Sequence, residues 1–104
     1  MSEKLKNQSD FKSAIIYKTE RGDDLFGIAE KFSTTAQILV SENALKSEPL
    51  CGELLYIEIP RGERYIVRPG DTLESVSRKF GKSELETADK NKIDGVYVGQ
   101  TIYI

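Results

Sequence analysis

A chain of 104 residues with net charge −2, 31% charged residues of both signs, one cysteine and no histidine is tightly bounded. One cysteine cannot close an internal disulfide, a structural zinc would need several sulfur or nitrogen ligands, and nucleic acid would call for a basic stripe. The apolar runs are only a few residues long, so no metal, cofactor, nucleic acid or membrane insertion is expected.

The opening "MSEKLKNQSDFKS" is polar and charged, and predicts an N-terminal tail over 1–13. It lacks the apolar core of a signal peptide, so with Met1 as the natural start no ordinary secretion is expected. Next, Ile15, Tyr17 and Thr19 alternate and predict a strand with one inward face. Glu20-Arg21-Gly22-Asp23 follows as a turn, where glycine can take angles closed to other residues. Leu25, Ile28, Ala29 and Phe32 recur at helical spacing. A second helix, capped by Thr34 or Thr35, is expected to end at Asn43, because asparagine tolerates the left-handed backbone of a helix end. "LLYIEI" then predicts a strand pointing Leu55, Ile57 and Ile59 inward.

After Pro60-Arg61-Gly62-Glu63 the pattern starts again, 48 residues on. "YIVR" places Tyr65 and Val67 on one face, and Arg68-Pro69-Gly70-Asp71 is the turn. Asp71 or Thr72 can cap the next helix, and Asp71 with Glu74 reads as a capping-box-like pair. Leu73, Val76, Ser77 and Phe80 form its apolar face. Ser83 with Glu86 makes a second box, and the helix it opens is expected to end at Asn91. "TIYI" closes the copy with Ile102 and Ile104 inward and Tyr103 outward. Two strands alone, or two short helices alone, are marginal, but each set together can bury one small core. The expected fold is therefore α+β: two tandem βααβ units, 14–60 and 61–104, each a two-stranded antiparallel sheet covered by two helices.

The residues "YIVRPGDTLESVSRKF", Asn91 and "VGQTIYI" resemble the LysM (lysin motif) domain. The second copy matches that motif at Tyr65, Val67, Gly70, Asp71, Thr72, Leu73, Val76, Phe80, Asn91, Val98, Gly99, Gln100, Ile102 and Ile104. The first copy is degenerate, with Asp24, Thr19 and Glu53 where the family has Thr, Val and Gln. The resemblance implies non-catalytic binding of a glycan containing N-acetylglucosamine, peptidoglycan or chitin. It implies a groove between the loop after the first strand and the loop before the second. That nominates Gly70, Asp71, Thr72 and Leu73 with Ile93, Asp94, Gly95 and Val96. The weaker first site comprises Gly22, Asp23, Asp24 and Leu25 with Leu45, Lys46, Ser47 and Leu50. The chemistry is compatible: an acetamido group wants backbone amides and a small apolar patch, for which Leu73 and Ile93 are available. Gly70 and Asp71 serve equally as turn and helix cap.

Other residues have plainer readings. Cys51 aligns with Val98 and is expected to be a small core residue. The acids Asp23 and Asp24, or Glu84 and Glu86, suit helix starts better than a glycosidase pair, so no enzyme is expected. Tyr56, Tyr97 and Tyr103 are either stacking platforms or sheet-flanking residues. Two functions fit the resemblance. One is bacterial cell-wall binding, with the chain in the wall or spore envelope as part of an exported or coat-targeted protein. The other is a cytoplasmic or assembly-type interaction scaffold without glycan, which leaves a protein partner or a homodimer open.

Overall fold

A computed structural model describes residues 11–104, with side chains from Ser13 onward. The expected tail over 1–13 lies mostly outside them, and its last residues already belong to a strand that begins at Phe11. The chain divides into two compact units, the first ending at Pro60 and the second spanning Arg61–Ile104. Each repeats the order strand, helix, helix, strand.

In the first unit, β1 (Phe11–Lys18) and β2 (Leu54–Pro60) pair antiparallel, with Ile15 opposite Ile57 and Tyr17 opposite Leu55. A bulge between Phe11 and Ser13 shifts the register at the outer end. Two helices cover this ribbon, α1 (Leu25–Phe32) and α2 (Ala36–Asn43). Ile28, Ala29, Leu39, Leu55 and Ile57 form the core, with Ile15, Tyr17, Phe32 and Ile59 packed partly buried around it. Side chains two apart on a strand share a face, so the alternation in "LLYIEI" placed Leu55 and Ile57 inside.

In the second unit, β3 (Arg64–Ile66) pairs antiparallel with β4 (Thr101–Tyr103), Tyr65 opposite Ile102. The ladder continues beyond both strands, because Glu63 and Ile104 exchange N–H···O bonds of 3.1 and 2.9 Å. The helices are α3 (Leu73–Lys79) and α4 (Glu84–Asn91). Val67, Val76, Ile102 and Ile104 make the core. Phe80 is only half-buried and meets Tyr65 edge-on with ring centres 5.6 Å apart; Phe32 and Tyr17 do the same at 5.0 Å.

The helix–helix contact uses different chemistry in the two units. Ala29 and Leu39 fill it with hydrocarbon in the first. Their counterparts Ser77 and Thr87 are buried hydroxyls hydrogen-bonded to each other at 2.7 Å in the second. A buried hydroxyl is costly alone but tolerated when paired, so both solutions hold the helices together.

Four local expectations are corrected. The capping box of α3 is Thr72 with Ser75, not Asp71 with Glu74, because the Asp71 carboxylate is taken up by the turn before it. The left-handed residues that end α2 and α4 are Ala44 and Lys92, each one position after the asparagine. Asn43 and Asn91 stay helical because their side chains are engaged elsewhere: each amide is a two-way bridge to the last strand of its unit. Cys51 is exposed, since it sits at the tip of a turn closed by Glu53 N–H on the Leu50 carbonyl, where the side chain points to water. Its counterpart Val98 is exposed in the matching turn, closed by Gln100 N–H on the Tyr97 carbonyl. Tyr103 is buried, 7% exposed, because the short β4 lies against the end of α4 and both backbone groups of Tyr103 are held by Asn91.

Candidate functional site

In each unit the sheet ends where two loops begin. Thr19 N–H donates to the Glu53 carbonyl and Gly52 N–H donates to the Thr19 carbonyl, both at 2.9 Å. Val67 repeats this with Gln100 and Gly99, at 2.9 and 2.8 Å. These bonds anchor the loop after the first strand and the loop before the second at one end of the sheet. The Thr19 hydroxyl, buried where the second unit has Val67, accepts from Glu53 N–H at 2.9 Å and so ties the two loops further.

The first loop is built by an aspartate. In the second unit, Asp71 Oδ2 accepts from the Tyr65 hydroxyl at 2.6 Å and from Arg68 N–H at 2.8 Å. In the first, Asp23 Oδ2 accepts from the Tyr17 hydroxyl at 2.6 Å and from Glu20 N–H at 2.8 Å. The tyrosine hydrogen bond, then the backbone N–H, hold both carboxyls below the usual carboxylate range. Lys31 and Lys79 lie 3.2 Å from the same tyrosine hydroxyls and about 5 Å over their rings. The Asp23 bond in turn raises the Tyr17 hydroxyl, and the Tyr17 contact raises Lys31. Carboxyls kept ionised and committed to backbone and phenol act as turn staples; a proton donor in catalysis needs the opposite shift. Gly22 and Gly70 sit at φ +88° and +87° in these turns, where only glycine is unstrained.

The rest of the nominated residues divide by role. Asp24 caps α1 by accepting from Gly27 N–H at 2.7 Å, and Thr72 caps α3 by accepting from Ser75 N–H at 3.0 Å. Leu73 is buried, and Leu25, Leu45, Ile93 and Val96 pack against their cores, so the apolar patch expected from Leu73 and Ile93 is largely turned inward. Lys46, Ser47, Asp94 and Gly95 are exposed. An open depression of about 390 Å³ takes in Ile93 and Asp94 together with Ala88, Asp89 and Lys92; none of Gly70–Leu73 lines it. The exposed apolar surface on or beside the nominated segments comes instead from Tyr97 and Val98 in the second unit, and from Phe26 and Leu50 in the first.

One hydrogen bond crosses directly from helix start to opposite loop. Leu25 N–H donates to Glu48 Oε1 at 2.7 Å. In the second unit, among the described residues, no side chain accepts from the Leu73 N–H. Sequence reasoning passed over Glu48 and Phe26. Glu48 lies between the nominated Ser47 and Leu50 with no spacing signal to mark it, and Phe26 lies one residue beyond the inward face of α1.

Comparison with known proteins places these units. The family model of the LysM domain matches residues 17–49 and 65–104, one stretch in each unit. The chain is 31% identical to the cell wall-binding protein YocH of Bacillus subtilis over 91 residues, covering 82% of this chain and 32% of that protein. It is 31% identical to the probable peptidoglycan endopeptidase LytE of the same organism over 104 residues, covering 86% of this chain and 31% of that one. The chain thus spans about a third of the length of these relatives. Among solved structures, the spore cortex-lytic enzyme SleL of Bacillus megaterium aligns with a TM-score of 0.45 and 31% identity, over 91% of this chain and 23% of that one. SleL of Bacillus cereus aligns with a TM-score of 0.43 and 26% identity, over 88% and 23%.

Proposed function

The chain belongs to the LysM domain family, and from that premise we propose that it binds, without catalysis, the N-acetylglucosamine-containing glycan of bacterial peptidoglycan. The observation that carries this reading is the match of the family model to both units, joined by two relatives whose names refer to the cell wall or to peptidoglycan. The site chemistry supports it. The turn after β3 is stapled by Asp71 around Gly70, the Leu73 N–H has no side-chain acceptor among the described residues and can meet an acetamido carbonyl, and Tyr97 offers an exposed ring for a sugar face. The glycan-contacting set is Gly70, Asp71, Thr72 and Leu73 with Ile93, Asp94, Gly95 and Val96, and the first unit carries the weaker version. The chain acts at the cell wall or spore envelope, and this stretch contributes attachment there.

The test is co-sedimentation of the chain with purified peptidoglycan and with chitin. Retention on peptidoglycan, competed by N-acetylglucosamine oligomers, is expected. No retention on either polymer would overturn the glycan reading in favour of an interaction scaffold.

A further inference from the structure

We propose that Glu48 is a built-in stand-in for ligand that keeps the first unit's groove shut, so that glycan specificity within this chain resides in the second unit. The inference rests on the glycan reading above and goes beyond it by naming the residue that separates the two units.

The geometry is asymmetric at one atom. The Leu25 N–H is the first free donor of α1, at the edge of the first loop, and a Glu48 carboxylate oxygen from the opposite loop takes it at 2.7 Å. Glu48 is itself exposed, and the bond to the Leu25 N–H is the hydrogen bond its side chain makes among the described residues. An acetamido carbonyl approaching between the loops needs the same kind of donor. A carboxylate already seated is the stronger acceptor, because its charge shortens and strengthens the bond. It also leaves a negative charge beside Asp24, whose carboxylate caps the same helix. Among the described residues the second unit has no equivalent contact: the one carboxylate of its loop 92–100, Asp94, does not accept from the Leu73 N–H, and Val96 is packed against the core.

A ligand for the first unit must therefore displace Glu48, and its apparent affinity falls by the fraction of time the amide is uncovered. Glu48→Val removes the acceptor; Glu48→Gln keeps an acceptor but removes its charge. The experiment is titration of the isotope-labelled full chain with the N-acetylglucosamine tetramer, followed by amide chemical shifts in both units. In the wild type, amides around Leu73 titrate and those around Leu25 stay still. In Glu48→Val, the free Leu25 amide proton moves upfield, and first-unit amides begin to titrate, with affinity raised roughly 5- to 10-fold. Glu48→Gln falls between the two, and serves if valine disturbs the loop. A first unit that stays silent in both variants while the second titrates overturns the proposal and leaves the glycan reading standing. A first unit that binds equally in wild type and variants overturns it as well. Silence in both units of every protein overturns the glycan reading, and this proposal with it.

Discussion

Asn91 Nδ2 donates to the Tyr103 carbonyl at 2.7 Å, and Tyr103 N–H donates back to Asn91 Oδ1 at 2.8 Å. One side-chain amide thus does at Tyr103 what a third strand would do, satisfying both backbone polar groups of that residue on the outer edge of β4. Asn43 does the same for Tyr56 at 2.8 Å each way. Asn91 is 1% exposed whereas Asn43 is half-buried. Each buried backbone group left without a partner costs about 1–3 kcal/mol. Asn91→Ala is therefore expected to destabilise the second unit by more than Asn43→Ala destabilises the first. Urea unfolding of both variants measures this, and equal losses would show that the bridge is not the source of the cost.

Gly62 stands at φ +111°, and a Cβ there would lie 2.1 Å from the Ile104 carbonyl oxygen. That oxygen accepts from Glu63 N–H and closes the sheet, so it cannot retreat without breaking the ladder. Gly62→Ala combines left-handed strain with a backbone clash. A loss of about 2 kcal/mol or more is expected for the second unit. Gly52→Ala, at φ +90° with open space around it, should cost less. Thermal unfolding of the two variants side by side tests the ranking.

Acid should loosen the turns. Asp71 has a folded pKa below its ordinary value, chiefly through the Tyr65 hydroxyl. In the unfolded chain it titrates near 3.9. Below that value the unfolded state takes up the proton first, so this stabilisation is complete above about pH 4 and lost as pH falls through the lower folded value. The gap in melting temperature between wild type and Asp71→Asn should be constant at neutral pH and should close below about pH 4. A gap that persists at pH 2 would mean the ionised carboxylate is not what holds the turn.

Thr34 is 4% exposed and its hydroxyl has no hydrogen-bond partner among the described residues. Its backbone N–H is satisfied by the Ala29 carbonyl, whereas the side-chain oxygen is buried without a partner among the described residues. Valine has nearly the same shape without that oxygen. Thr34→Val is expected to stabilise the first unit by about 1 kcal/mol. A lower unfolding midpoint in the variant would reveal a partner for the hydroxyl.

Retention of the wild-type chain on the polymer should rest on the second unit. Two open sites on a repetitive glycan would gain roughly 10²–10⁴ in avidity if they could engage together, a gain that the seated Glu48 withholds from the wild type. The first unit contributes the weaker site, since residues 14–60 carry four basic against eight acidic side chains, while residues 64–104 carry seven against six. Peptidoglycan stems are acidic, so repulsion of the first unit is strongest at low salt. Fragments 13–60 and 61–104 compared with the full chain on peptidoglycan, at two salt concentrations, check this. Equal retention of 13–60 and 61–104 would count against the ranking.

The repeated motif, read as bare sequence, was enough for the βααβ order, the inward sets Leu55–Ile57 and Val67–Val76–Ile102, and the positive-φ glycines of the turns. Those features follow from period-2 and helical spacing and from the backbone freedom of single residues, which are local properties. What spacing could not reach were contacts between residues far apart in the chain. Asn43 and Asn91 looked like helix terminators because the strand edge each one bridges lies 12 or 13 residues on. Cys51 looked like a core residue because it is small and apolar; only the closed turn shows that its side chain faces water. Tyr103 sits at an outward position of its strand, yet it is buried, and its backbone is held by Asn91 at the end of α4. The Glu48 carboxylate on the Leu25 amide joins positions 23 residues apart, and a glutamate in a polar loop carries no pattern that announces it. Periodicity decides which face of an element turns inward; which loop atom meets which amide is decided only when the sheet brings both loops to one end.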